Sequence, residues 1–248
     1  MSLFDHEARQ FKFDVLREVS KRSFEGKLNE DTCDEVANLL IPGKRADFRC
    51  CIYKEKEIIR QRTRMAMGKP PVPVEHENKR QIVRVIDAAC DGCSIHKIQV
   101  TDNCRKCMAK ACLSACKFDA IHMGNDHAFI DYDKCKECGA CKNACPFNAI
   151  VETQRPCMKS CPVDAISMGE SGLAEIDEEK CINCGACQAK CPFGAIEDMS
   201  WMVDVIEELK KGTEMYAIFA PAMQGQFDNA TLPQVMEGIR QLGFRDVY

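Results

Sequence analysis

The sequence predicts an α+β chain in three parts: a helical N-terminal region over residues 1–68, a region of small repeated units over residues 82–200, and the start of an α/β layer over residues 201–248. Apolar residues at helical spacing predict the first part, an internal repeat predicts the second, and alternating helix and strand patterns predict the third. Residues 69–81, which contain three prolines and many charges, predict a linker between the first two parts.

Two helices are predicted early in the chain because apolar residues recur every three or four positions. These residues are Phe11, Val15, Leu16 and Val19, followed by Val36, Leu39 and Leu40. A third helix is predicted from about Lys54 to Met67, because Gly68 and Pro70 follow it as stop signals. We expect Met65 and Met67 to pack on the core and the Arg and Lys residues of RCCIYKEKEIIRQRTR to form a solvated helix face.

Cysteine is unusually abundant, with 19 residues among 248, and this abundance indicates either disulfides or bound metal. The N-terminus carries charges throughout and has no apolar signal region, and no apolar run is long enough to span a membrane. We therefore expect a cytoplasmic protein with reduced thiols and no membrane partner. A formal net charge of -4, without a basic stripe, argues against nucleic acid as the main partner.

Four copies of a cysteine step followed by an Ala-Ile pair make up the repeat. They are CKFDAI from Cys116, CPFNAI from Cys145, CPVDAI from Cys161 and CPFGAI from Cys191. Two similar segments, AFIDYDKC and AEIDEEKC, lead into cysteine loops. Each unit is therefore predicted to run strand, cysteine loop, helical turn and strand.

Two segments, CKECGACKNACP and CINCGACQAKCP, match the CxxCxxCxxxCP run of bacterial ferredoxins residue for residue. Three thiolates at this spacing can hold one [4Fe-4S] cubane, and the fourth cysteine reaches a neighbouring cluster. Gly139 and Gly185 are expected to let backbone N–H groups approach the cluster sulfurs. Zinc is the main alternative, although structural zinc sites usually pair two separated CxxC knuckles. The cysteines of the two segments are Cys135, Cys138, Cys141 and Cys145, and Cys181, Cys184, Cys187 and Cys191.

A third segment, CRKCMAKACLSAC, is looser, with two extra residues between its second and third cysteines and Lys117 in place of the proline. With CKECGACKNACP it forms one complete pair of motifs. The second pair is short of ligands, because its first half supplies only Cys157 and Cys161. Cys90 and Cys93, which follow the apolar segment IVRVID, can complete it, although they could instead hold zinc or be free thiols. We infer that one complete ferredoxin pair is inserted inside the first half-motif of another.

Sixteen cysteines then make four [4Fe-4S] sites, each named by the first cysteine of its loop. The Cys104 site contains Cys104, Cys107, Cys112 and Cys145, and the Cys135 site contains Cys135, Cys138, Cys141 and Cys116. The Cys181 site contains Cys181, Cys184, Cys187 and Cys161, and the Cys90 site contains Cys90, Cys93, Cys157 and Cys191. Cys33, Cys50 and Cys51 are left over, and we expect them to be buried packing residues.

No motif predicts a catalytic residue, because the sequence has no phosphate loop, nucleophile elbow or cluster of carboxylates. The five histidines, His6, His76, His96, His122 and His127, form no tight metal-binding pair. His96 and His122 lie beside cluster motifs, where they could tune a cluster without binding it.

After Asp198 the sequence predicts a helix in MVDVIEELKKG, a strand in MYAIFAPA, a helix from about Pro233 to Leu242 and a strand starting at Arg245. The chain ends at Tyr248, before such a layer is complete, and we expect a fragment of a larger α/β domain. With RCCIYKE and IIR ahead of the ferredoxin motifs, and AIFAPAMQGQF and GIRQLGFRDVY after them, the chain resembles the N-terminal part of a monomeric [FeFe]-hydrogenase. The resemblance covers essentially all 248 residues.

The resemblance implies an electron relay that connects a soluble partner, such as ferredoxin, to a di-iron catalytic site. That family's active-site cluster is held by later cysteines, whereas the last cysteine here is Cys191. We therefore expect this polypeptide to lack hydrogen turnover and to work with the missing catalytic domain or a catalytic subunit. One alternative is a subunit of a multi-chain oxidoreductase whose catalytic chain docks on residues 201–248, and another is a zinc-stabilised binding module.

Replacement of one cysteine tests the nesting hypothesis. Cys157→Ser should perturb one cluster and leave the pair of clusters in residues 104–145 intact, because the hypothesis assigns Cys157 to the other pair. Iron content and the EPR spectrum of the reduced protein measure this outcome. Equal loss of all four clusters from a folded variant would contradict the nesting.

Overall fold

The computed structural model describes residues 7–74, 81–93, 96–223, 226–227 and 229–248, with the side chain of Glu7 left aside. Residues 75–80 of the predicted linker, together with His6 and His76, lie outside the described residues.

Three helices form the N-terminal region: α1 (Glu7–Phe24), α2 (Thr32–Leu40) and α3 (Ile52–Ala66). Their apolar faces share one core, in which Val19, Val36 and Ile59 are fully buried. The helical spacing of these residues places them on the facing sides of the three helices. Helices are thus observed where the apolar spacing predicted them, and the third ends before Gly68.

Short strands alternate with one-turn helices through residues 82–198. They are β1 (Val83–Val85), β2 (Ile98–Val100), α4 (Ala111–Ala115), β3 (Ile121–Met123), β4 (Ala128–Ile130), α5 (Ala140–Ala144), β5 (Ile150–Glu152), α6 (Pro156–Ser160), β6 (Ile166–Met168), β7 (Ala174–Ile176), α7 (Ala186–Lys190) and β8 (Ile196–Asp198). In β4, Ala128 and Ile130 are buried while Phe129 between them is exposed, the alternation expected of a strand with one face on a core. The predicted α+β class is confirmed.

The strands pair into two-stranded antiparallel ribbons that belong to two units. In the inner unit, residues 96–153, β2 pairs with β5 and encloses the β3–β4 ribbon in sequence. In the outer unit, residues 81–93 and 154–198, β1 pairs with β8 and β6 pairs with β7. In the sequence, the whole inner unit therefore follows the first strand of the outer unit and precedes the other strands of that unit.

Arg62 of α3 joins the helical region to the outer unit, and the prediction of a wholly solvated basic face on this helix is wrong at this residue. Arg62 is only 4% exposed and forms an ion pair with buried Glu197 of β8. Its guanidinium also donates to the Gly194 carbonyl at 2.7 Å and to the Ala8 carbonyl at 3.2 Å. One charged side chain thus holds α1, α3 and the outer unit together.

The prediction of buried packing roles is also wrong for Cys50 and Cys51. Both are exposed, because they lie in the bend and the N-cap that lead into the start of α3. Cys33 on α2 is half-buried, and burial raises the pKa of its thiol.

The C-terminal segment contains α8 (Met202–Lys210), β9 (Tyr216–Ala217), α9 (Leu232–Gln241) and β10 (Asp246–Val247). The predicted order of helix, strand, helix and strand is observed, with β9 and β10 paired in parallel. Lys210 at the end of α8 donates to the Ser23 carbonyl of α1 at 2.9 Å, which ties this segment to the N-terminal helices. Within the part of the chain that the structure describes, no helix has the length and apolar character needed to cross a membrane.

Loss of the buried ion pair should be far more costly than loss of an exposed one. Arg62→Met leaves the Glu197 carboxylate buried without its cation, so the free energy of unfolding should fall by about 3–5 kcal/mol. The matched control is Arg60→Met on the same helix, which removes an exposed pair with Asp34 and should cost about 0–1 kcal/mol. Urea unfolding of the anaerobic protein, followed by circular dichroism, measures both. Equal losses would show that the buried pair does not hold the parts together.

Candidate metal centres

Each of the four cysteine turns is closed by a backbone N–H group that donates to the cysteine sulfur. The donors are the alanines of the repeated Ala-Ile pairs. The bonds run from Ala120 to Cys116 at 3.4 Å, from Ala149 to Cys145 at 3.4 Å, from Ala165 to Cys161 at 3.2 Å and from Ala195 to Cys191 at 3.3 Å. Such bonds stabilise negative charge on a thiolate or on a cluster sulfur.

The residue before each alanine has a left-handed backbone, and this explains a part of the repeat that sequence reasoning missed. The φ angles are 50° at Asp119, 50° at Asn148, 49° at Asp164 and 58° at Gly194. Asp, Asn and Gly are the residues that tolerate this conformation best. Their recurrence one residue before the Ala-Ile pair was a readable signal in the sequence.

Cys90 in the outer unit and Cys104 in the inner unit accept matching backbone hydrogen bonds. The N–H of Ala128, the first residue of β4, donates to the Cys104 sulfur at 3.4 Å. The N–H of Ala174, the first residue of β7, donates to the Cys90 sulfur at 3.4 Å. The two cysteines therefore occupy equivalent positions, although different numbers of residues separate them from their half-motifs.

The cysteines of the inner unit fall into two groups. A small cavity is lined by Cys104, Cys107, Cys112 and Cys145 together. Burial raises the pKa of the Cys112 thiol, and the nearby sulfurs of Cys145 and Cys104 raise it further. In the second group, burial raises the pKa of Cys141, with further contributions from Cys135 and Cys116.

The Cys90, Cys93, Cys157 and Cys191 side chains are close neighbours in the outer unit. Burial raises the pKa of the Cys157 thiol to about 11, and the sulfurs of Cys191, Cys90 and Cys93 add to this shift. Burial likewise raises the pKa of Cys93, whereas the neighbouring Arg155 guanidinium opposes that shift.

Cys181, Cys184 and Cys187 form a second group in the outer unit. Burial raises the pKa of the Cys187 thiol, and the nearby sulfurs of Cys181 and Cys184 raise it further. Cys161 packs in an apolar cluster that holds Cys187 together with Cys157 and Cys90, so its place in this group stays a prediction.

Gly139 and Gly185 start the helical turns α5 and α7, and a left-handed backbone explains both. Their φ angles are 76° and 75°. The corresponding residue before α4 is Lys110, which adopts φ 45° although lysine is disfavoured there. The sequence analysis explained glycine at these positions by the approach of N–H groups to the cluster sulfurs. The structure explains it by the left-handed backbone.

Two polar residues that touch cluster cysteines were missed by sequence reasoning. Gln81, at the end of the predicted linker, is 2% exposed and donates through Nε2 to the Cys181 sulfur at 3.4 Å. Arg155 donates through Nη1 to the Cys90 sulfur at 3.8 Å. Arg155 lies two residues before Cys157, whereas Gln81 lies nine residues before the nearest cysteine, Cys90. The ring of His96 stacks on Tyr132 at 3.5 Å, and His122 packs against Phe129.

Within the described ranges, no group of three or more His, Cys, Asp or Glu side chains converges closely enough to hold a single metal ion. The thiolates of a cubane bind different iron atoms, so they surround a cluster and do not meet at one point.

Two family models match the chain: the LdpA Fe-S cluster-binding domain over residues 151–202 and the 4Fe-4S binding domain over residues 128–151. The chain is also 42% identical over 55 residues to a ferredoxin of Alicyclobacillus acidocaldarius subsp. acidocaldarius, which covers 22% of this chain and 70% of that protein. This chain belongs to the ferredoxin family. It binds [4Fe-4S] clusters through ferredoxin-type motifs, and its function is electron transfer.

Other ferredoxins match over shorter shares of their own length. Ferredoxin 7Fe of Hydrogenibacillus schlegelii is 41% identical over 51 residues, or 21% of this chain and 65% of that protein. Ferredoxin-1 of Caulobacter vibrioides is 37% identical over 51 residues, or 21% of this chain and 45% of that protein. The ferredoxin likeness therefore describes about one fifth of the chain in each comparison.

The left-handed glycines provide a test of the loop geometry. In Gly139→Ala the added Cβ meets no protein atom within 4 Å among the described residues, so the loss expected from the protein itself comes from the backbone conformation. We expect the free energy of unfolding to fall by about 1–2 kcal/mol. Gly238→Ala, inside α9 and equally uncrowded, is the matched control and should stabilise the protein by about 0.5–1 kcal/mol. Urea unfolding under anaerobic conditions measures both, and a stable Gly139→Ala variant would contradict the strain argument.

Proposed function

We propose that this chain is an electron relay with four [4Fe-4S] clusters, held at the Cys104, Cys135, Cys181 and Cys90 sites by the sixteen cysteines assigned to them above. The observation that carries the proposal is the equivalence of Cys90 and Cys104, each of which accepts an N–H bond from the first residue of a matching strand. This equivalence supports a complete pair of sites in each unit.

The grouping of the buried thiols supports the same ligand sets. Cys112, Cys141, Cys157 and Cys187 are each less than a tenth exposed, and each has neighbours from its own proposed site. One cysteine of each pairing comes from a distant turn, as in Cys112 with Cys145 and Cys141 with Cys116. This exchange of the last cysteine between neighbouring sites is typical of two-cluster ferredoxins.

A bound [4Fe-4S] cluster takes up and releases one electron at a time. The chain's part is to hold the thiolates, keep water from the buried ones and supply N–H groups to sulfur, since burial and hydrogen bonds set the potential. The Ala120, Ala149, Ala165 and Ala195 N–H groups supply one such bond in each turn.

We further propose that the relay is the front portion of an [FeFe]-hydrogenase in the cytoplasm. The segments RCCIYKE, AIFAPAMQGQF and GIRQLGFRDVY, in that order around the cysteine motifs, support this part of the proposal. The relay would connect a soluble partner such as ferredoxin to a catalytic domain that carries the active-site cluster, because no cysteine follows Cys191 in these 248 residues.

A second candidate is a subunit of a multi-chain oxidoreductase whose catalytic domain is on another chain. The exposed apolar side chains of the C-terminal segment favour it: Ile218 is 83% exposed, Tyr248 66% and Leu242 51%. A catalytic chain that co-purifies and is released by charge-preserving substitution of these residues would support this candidate over the first.

Metal analysis of the anaerobically purified protein tests the relay. We expect about sixteen iron atoms per chain with matching sulfide, because four cubanes carry four irons each. Reduction with dithionite should produce EPR signals of coupled reduced cubanes, and this polypeptide alone should evolve no hydrogen. Zinc in place of iron would overturn the proposal. Hydrogen evolution would show that a catalytic partner is present in the sample.

A further inference from the structure

Arg155 lies where the inner and outer units meet. It directly precedes α6 and is only 6% exposed. Together with Met158 of the outer unit, it lines a cavity of about 710 Å³ whose other wall includes Tyr132 and Cys135 of the inner unit. A charged side chain is thus buried between the Cys135 site of one unit and the Cys90 site of the other.

The contacts of Arg155 point its charge at the Cys90 site. Nη1 donates to the Cys90 sulfur at 3.8 Å, and Nη2 donates to the Gly172 carbonyl at 2.6 Å. Gly172 lies in the turn between β6 and β7, two residues before the Ala174 N–H that also donates to Cys90. The guanidinium is therefore held in place by the same turn that holds the Cys90 sulfur.

The residues that precede the four helical turns show how unusual Arg155 is. They are Lys110 before α4, Gly139 before α5, Arg155 before α6 and Gly185 before α7. Lys110 is exposed, so water and salt screen its charge. Arg155 is buried, and a charge in a low-dielectric interior acts much more strongly on its neighbours.

This inference rests on the proposed ligand set of the Cys90 site. We propose that Arg155 is a positioning residue that raises the reduction potential of the cluster at the Cys90 site. Reduction adds one negative charge and changes no covalent bond, so a fixed cation and an additional hydrogen bond to a ligand sulfur favour the reduced form. With Arg155 in place, the cluster at the Cys90 site therefore accepts an electron more readily than it would without this cation.

The test is an EPR-monitored redox titration of the anaerobic holoprotein with dithionite as reductant. In Arg155→Met, one of the four midpoint potentials should fall and the other three should stay. Arg155→Lys keeps the charge and should restore most of the shift, which a purely structural role would not predict. Lys110→Met removes the exposed counterpart before α4, and it should change the midpoint potential of the Cys104 site, which contains Cys112, by much less.

Three outcomes would overturn the inference: unchanged potentials in Arg155→Met, an equal fall of all four, or a shift in Lys110→Met as large as that in Arg155→Met. If Arg155→Met loses iron, Arg155→Gln, which keeps N–H donors without the charge, should lower the potential of the same single cluster by a smaller amount. A wild-type protein without iron would refute the relay itself. A full set of clusters with potentials insensitive to Arg155 would refute this inference alone.

Discussion

The backbone of one alanine in each cysteine turn is the element on which the rest of this structure depends. Its N–H donates to the cysteine sulfur, and its carbonyl accepts from a neighbouring strand: Ala120 from Asp131 at 2.7 Å, Ala149 from Thr101 at 2.8 Å, Ala165 from Asp177 at 2.8 Å and Ala195 from Ile86 at 2.7 Å. These alanines are at most 2% exposed, so a larger side chain would have no space. One residue thus couples the position of a ligand to the closure of a ribbon, and this coupling explains why the Ala-Ile pair recurs.

The nested arrangement depends on pairing between distant parts of the chain. The outer unit is closed by Val83 opposite Asp198, with the inner unit inserted between them. Each unit keeps its own apolar core, in which Ile98 and Ile150 serve the inner unit and Val83 and Ile196 the outer one. The insertion is tolerated because it enters and leaves through adjacent ribbon ends, so the ligand geometry of the outer unit is kept. The Arg62 ion pair then ties the outer unit to the helical region.

Spacing in the sequence predicted the features that are local, and it failed where a residue depends on a distant partner. Cysteine spacing and the repeated Ala-Ile pair were enough to predict the order of strand, loop and turn, because these elements lie close to the cysteine motif in the sequence. The burial of Arg62 was missed because its partner Glu197 is 135 residues away. Gln81 was assigned to a linker for the same reason, since its contact with Cys181 spans 100 residues. Cys50 and Cys51 were expected inside because cysteine is usually buried, whereas the path of their segment keeps them outside.

The insertion also sets an order of biogenesis. During synthesis β1, Cys90 and Cys93 leave the ribosome before the inner unit, yet β8, the strand partner of β1, ends at Asp198, 45 residues after the inner unit is complete at Thr153. At translation rates of about 5–20 residues per second, the inner unit is available for roughly 2–9 s before the outer ribbon can close. Under the proposed ligand sets, Cys90 and Cys93 are therefore made well before Cys157 and Cys191, the other two cysteines of their site.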